Sequence, residues 1–239
     1  MIKKRCIFLL LPLFLTTCGL EELYFLPQPT DVQKIANTGA SIILPSISSY
    51  YYSKCYTIFY KIYTSSESIN TSITDSTERG RIHPTLNNDF NSFETMASSI
   101  NAMAPTADTF KNSGFYELDF EGETGENLLS KNGRTIFLDF RTSPGSIPLV
   151  EVDNSAEYNL LRSQDLISPE PGYYFQNSPD LLDSEKANRE FNGDVAARAG
   201  DRYTYVLMYI VAEGYDNARF SRIFSKPAFV NIFGLPEAN

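Results

Sequence analysis

The chain has 239 residues, 42% of them apolar, which excludes a disordered chain and suits one sizeable domain. A formal net charge of −9 excludes a nucleic-acid partner, because phosphates would be repelled rather than neutralised. The 15 tyrosines and 17 phenylalanines, with no tryptophan, point to strands with aromatic faces.

Lys3, Lys4 and Arg5 form a positive segment, and Ile7 to Leu15 an apolar run broken only by Pro12. A mature bilayer-spanning helix needs roughly 20 apolar residues, so this is the build of a secretory signal over residues 1–17. The run ends Leu15-Thr16-Thr17-Cys18-Gly19, which resembles the lipobox of bacterial lipoproteins. Thr17 stands where Gly, Ala or Ser is preferred, a relaxation found in spirochaetes. The resemblance implies cleavage before Cys18, a diacylglyceryl group on its thiol and a further acyl chain, such as palmitate, on its amine. Several chains on one residue exceed what lasting membrane attachment requires. An ordinary signal peptide or an uncleaved anchor is the alternative. The implied partner is a membrane, reached through the lipid, in an envelope location facing the periplasm or the surface. Loss of the leader would make the remainder three charges more negative, so the anchor and no basic patch would hold it there.

Of 3 cysteines, Cys6 lies in the leader, Cys18 takes the lipid and Cys55 is left, with no second thiol for an internal disulfide. Residues 18–30, with Pro27 and Pro29, read as a lipidated tether, and 31–239 as a single domain. Val32–Leu44 alternates loosely and predicts one or two short strands. Tyr56–Tyr63 alternates with apolar residues on both parities, the pattern of a well-buried strand. Ser65–Arg81 is polar and reads as an exposed loop. Asn88 is placed to cap an amphipathic helix carrying Phe90, Phe93, Ala97 and Ile100 and ended by Pro105. Phe115–Phe120 and Thr135–Phe140 read as a hairpin around the loop Gly122–Gly133. Prolines break 143–201 into short extended pieces, with a helical turn or two over Leu181–Phe191. Tyr203–Val211 is apolar at nearly every position, as a central strand covered on both faces would be. A turn over Glu213–Asn217 and strands over Arg219–Phe224 and Ala228–Phe233 complete the chain.

The stretch Gly200-Asp201-Arg202-Tyr203-Thr204-Tyr205, running on to Ala212, resembles the sixth strand of a fibronectin type III domain, with Tyr203 at its corner tyrosine. Ser225-Lys226-Pro227-Ala228-Phe229-Val230 is similar to the start of that family's last strand. Pro29–Leu44 is similar to its opening strands and Tyr56–Tyr63 to its third. The resemblance implies an antiparallel β-sandwich with a large insertion, about 65–200, that holds the helix. Pro45 lies near the place of the family's usual tryptophan. Lipobox, aromatic strand and insertion together resemble uncharacterised lipoproteins of spirochaetes such as treponemes. No catalytic residues come with either resemblance.

For chemistry, the lone histidine, His83, beside Pro84 in a polar stretch, reads as a solvated loop residue and offers no triad. The chain has no metal-ligand spacing and no phosphate loop, so neither metal nor cofactor is expected. Glu117, Asp119 and Glu121 alternate along one strand face. They serve as solvating charge on an open face, or as the paired carboxylates of an envelope-glycan hydrolase if they line a cleft. Tyr51, within Tyr50-Tyr51-Tyr52, and Tyr173, within Tyr173-Tyr174-Phe175, are the candidate contacts for a protein or glycan. The expectation is a non-enzymatic binding or structural lipoprotein, with an envelope-assembly factor and a carboxylate hydrolase as alternatives.

Overall fold

The computed structural model describes residues 26–35, 38–68, 73, 75–99, 104–140, 148–162, 173–174, 200–201, 203–217 and 219–235. The leader, Cys18 and Leu181–Phe191 lie outside the described residues. Asp31–Ile35 (β1) and Gly39–Leu44 (β2) form a hairpin, and Ser53–Ser65 (β3) follows the turn that holds Tyr51. Three helices come next: Ser76–Ile82 (α1), Pro84–Ser98 (α2) and Ala107–Asn112 (α3). Tyr116–Phe120 (β4), Gly125–Leu128 (α4), Arg134–Asp139 (β5), Leu149–Val152 (β6) and Ala156–Arg162 (β7) continue the chain. Tyr173–Tyr174 (β8), Tyr203–Asp216 (β9), Ser221–Phe224 (β10) and Ala228–Leu235 (β11) complete it.

The fold is mainly β, and its strands pair antiparallel along one continuous path, β1-β2-β5-β6-β7-β4-β3-β9-β10. β11 also pairs with β9, and β8 with β7. The sheet curls until its ends meet: Asn231 of β11 donates Nδ2 to the Gly39 carbonyl of β2 at 3.0 Å.

Curling creates an inside and an outside, and the parity of each strand decides which side chains go where. Inward, Tyr56, Ile58, Tyr60 and Ile62 of β3 meet Val206, Met208, Ile210 and Ala212 of β9 in the larger core. Outward, Phe59 and Tyr63 join Tyr205, Leu207, Tyr209 and Val211 under the helices. β3 and β9 are thus buried on both faces, as their doubled apolar pattern predicts, and they pair along nearly their whole length.

The helical layer is held by rings and by a buried ion pair. Phe93 of α2 stacks on Tyr209 and on Phe110 of α3, each at 5.0 Å, and Phe110 stacks on Phe59 at 3.8 Å. Lys61, buried on the outer face of β3, gives Nζ to Asp89 of α2 at 2.7 Å and to the Ser113 carbonyl at 2.6 Å.

Several local expectations are corrected. The polar stretch before Arg81 contains α1, capped by Asp75, whose Oδ1 accepts from the Glu78 amide. His83 is 7% exposed, so it is no solvated loop residue. Its Nδ1 accepts from the Thr85 amide at 3.2 Å and caps α2, with Pro84 at the first helical position. Asn88, expected as the cap, lies a turn inside that helix. β4 and β5 do not pair with each other. β4 pairs with β3 and β7, and β5 with β2 and β6, because the β6–β7 hairpin is inserted between them. That hairpin turns at Asp153 and Asn154, both at φ 52°, the paired left-handed geometry of a type I′ turn. β9 runs on through Asp216, so Glu213–Asp216 is strand and the turn comes later. Gly214 is needed inside that strand, since a Cβ there would lie 2.6 Å from the Tyr52 carbonyl oxygen.

Candidate functional site

β3 and β4 pair only at Phe59 and Tyr60, and toward the N-terminal end of β3 they fork apart. α4 and its flanks back the fork: the Tyr56 amide donates to the Leu129 carbonyl at 2.8 Å. β9 and β10 wall the far side. The result is a cavity of about 140 Å³ lined by Lys54, Cys55, Thr57, Glu117, Asp119, Glu126, Glu213 and Arg222, among others.

Its polar centre is one guanidinium shared by two carboxylates. Arg222 of β10 gives Nε to Glu213 Oε1 at 2.9 Å and Nη2 to Glu213 Oε2 at 2.7 Å. The same group bonds both oxygens of Glu117 on β4, with Nη2 to Oε2 at 3.2 Å. The Thr57 hydroxyl also donates to Glu213 Oε2. Glu213 is buried, so it needs these donors to offset its lost hydration. Burial alone would lower the Arg222 guanidinium. Its hydrogen bonds to Glu213 and Glu117, and their charges, outweigh that and hold it above its usual range. Cys55 packs beside Glu213, Sγ to Oε2 at 3.8 Å. Burial, then the charges of Glu213 and Glu126, push its thiol from 9.0 up to about 12. Such a thiol stays protonated and is a poor nucleophile.

Chemically, this arrangement fixes charge in place. Glu213 and Glu117 both accept from Arg222, whereas a general acid must itself carry a proton to deliver. At the rim, Lys54 pairs with Glu126 at 3.5 Å. Among the described residues, no group of three His, Cys, Asp or Glu side chains is arranged to hold a metal.

The site residues named from sequence are divided by the fold. Glu117 and Asp119 come together in the cleft and are half-buried, so the picture of an open solvated face is corrected for these two. Glu121 stands just past β4, exposed, and accepts from Asn159 Nδ2 at 2.6 Å. Tyr51 is 73% exposed, its ring edge-on to Tyr52 at 5.0 Å. Tyr173 opens β8 and pairs with Arg162 of β7, so its backbone belongs to a strand. Sequence reading missed Glu213 and Arg222. The available signal was a lone carboxylate closing the apolar run of β9, with an arginine a short hairpin away.

Compared with protein-family models, with curated proteins and with solved structures, the chain matches none.

Proposed function

We propose that this chain is a bacterial envelope lipoprotein, attached to a membrane through lipid on Cys18, whose β-domain binds or scaffolds and does not catalyse. The observation that carries the reading is the series Lys3–Arg5, Ile7–Leu15 and Leu15-Thr16-Thr17-Cys18: charge, apolar run, then cysteine. The cleft supports the non-catalytic half, since its buried carboxylate and its neighbour are both committed to Arg222. The fibronectin-like reading is supported by the pairing of β9 with both β3 and β11, the strands likened to that family's sixth, third and last. A relaxed lipobox of the spirochaete kind fits the same picture. The test is Cys18→Ser in the full chain expressed in a lipoprotein-processing bacterium. The native protein should be cleaved, acquire lipid mass and enter the detergent phase. The variant should persist as precursor without lipid. Normal processing of the variant would refute the anchor.

One observation favours a second reading, a carboxylate hydrolase of envelope glycans: Glu117 and Asp119 line a concave cleft together. Turnover of peptidoglycan fragments that disappears in both Glu117→Gln and Asp119→Asn would establish it in place of binding.

A further inference from the structure

Among the described residues, Ile43, Tyr51 and Phe220 are the large hydrophobics left exposed, at 46%, 73% and 81%. The strand register puts all three at one end of the sheet. Ile43 is the next-to-last residue of β2, opposite Asp31 at the start of β1. Tyr51 lies in the turn that enters β3, where the Tyr215 amide donates to the Tyr52 carbonyl at 2.9 Å. Phe220 sits in the β9–β10 turn, just before Ser221, which pairs with Asp216. The far end of β3 and β9, Ser65 with Tyr203, lies about 40 Å away along the strands, and Arg81 is held near it by Glu67.

Phe220 is held at φ 52°, a left-handed conformation that suits Gly or Asn and strains a bulky aromatic. A solvent-exposed ring adds little packing to offset that strain. Exposure and strain at one residue are the mark of a side chain retained for contact with something outside the fold.

The position of the N-terminal segment identifies that something. Gln28 donates Nε2 to the Pro227 carbonyl, and Leu26, two residues back, is buried within reach of Gly214, Ile223 and the Tyr52 turn. Followed backward, the described chain thus moves toward the aromatic end and begins there. Cys18 is eight residues before Leu26, and eight extended residues span at most about 28 Å. Lipid on Cys18 would bring this end, and no other, to the bilayer. Tyrosine and phenylalanine suit the interface, where an apolar ring can enter and a hydroxyl stays wet. Charges at this end are of mixed sign: Lys54 pairs with Glu126, Arg134 with Asp153 and Arg219 with Asp216, and Asp31 stands opposite Ile43. Insertion of rings, and not attraction to anionic lipid, is the contact this end is built for.

We infer that the end bearing Ile43, Tyr51 and Phe220 docks on the bilayer surface and stands the domain upright on its anchor. This rests on the lipoprotein reading above and adds an orientation to it.

The absence of tryptophan makes the test direct. Phe220→Trp, Tyr51→Trp and, at the opposite end, Arg81→Trp would each supply a single reporter. Each full-length variant, processed and lipidated in cells, is purified and reconstituted into phosphatidylcholine vesicles whose acyl chains carry bromine. Emission from the Phe220→Trp and Tyr51→Trp proteins should shift to the blue and lose intensity to bromine, with Arg81→Trp unaffected. Phe220→Asn should melt no lower than the parent, while Tyr51→Trp in that background loses quenching. Lipid mass on Cys18 with no quenching at either aromatic site overturns the docking and leaves the lipoprotein standing. No lipid mass on Cys18 overturns the anchor, and docking falls with it. A concentration-dependent blue shift without vesicles assigns the face to a second copy of the chain and overturns docking.

Discussion

At Glu213 a carboxylate is buried at the end of a strand whose other outward residues are apolar, and Arg222 makes that tolerable. The guanidinium fork meets both oxygens, which an ammonium would not do. Removing the cation while leaving the anion buried is among the costlier single changes. Arg222→Ala should therefore lose about 3 kcal/mol in urea unfolding, the lower part of the range because Arg222 itself is partly exposed. Arg222→Lys should recover only part of it. A loss within experimental error would mean that Glu213 is solvated. Cys55 and Tyr56, successive residues on opposite faces of β3, make stability depend on alkaline pH. Burial pushes the thiol from 9.0 to about 12 and the phenol from 10.0 to about 12. Between those values the unfolded chain releases protons that the folded chain retains, so raising the pH favours unfolding. The contribution of these two groups should be full below pH 9 and be lost progressively as pH rises toward 12. Cys55→Ala and Tyr56→Phe should each flatten the fall in denaturant midpoints measured across that window. Unchanged slopes in both variants would place the two groups in contact with water.

At the level of elements, legibility followed burial. β3 and β9 could be read because each is apolar on both parities, and a strand covered on two faces has no other way to look. The consequence is testable at Leu207, fully buried between β9 and the helical layer. Leu207→Asp would bury an unpaired charge and should cost at least about 4 kcal/mol, read as loss of the cooperative transition at ordinary temperatures. A melting temperature within a degree or two of the parent would mean that this face of β9 is open. α1 was illegible for the opposite reason: its Ser-Thr-Glu-Arg-Gly-Arg-Ile buries only Arg79 and Ile82, too few to set a period. His83 was misread because a cap is a matter of backbone angle, which composition does not express. The cleft was half legible. Glu117 and Asp119 share a parity and so could be grouped, but their neighbour Arg222 comes from across the sheet. Its contact with Glu117 joins residues 105 positions apart, and no local pattern encodes that.

Across the molecule, strand pairing was the least legible feature. Phe115–Phe120 and Thr135–Phe140 look like two arms of one hairpin, yet the sheet admits β6 and β7 between them. Alternation tells a strand which face to bury and is silent about which edge it will join. The closure through Asn231 and Gly39 spans 192 positions and is equally beyond local reading. The β3–β9 ribbon has a further consequence, in the order of events by which the fold is reached. Its partners Cys55 and Glu213 are separated by 158 positions, and at the other end Thr64 bonds Asp201, just before β9, across 137. Forming it closes a very long loop before most of the stabilising contacts exist, so high contact order predicts slow folding for a domain of this size. β3 is also made long before β9. Until the second strand arrives, an aromatic strand with two sticky faces and two open edges must wait, and edges of that kind pair readily with other chains. The centre of the native sheet is therefore, for part of each molecule's history, its greatest aggregation hazard.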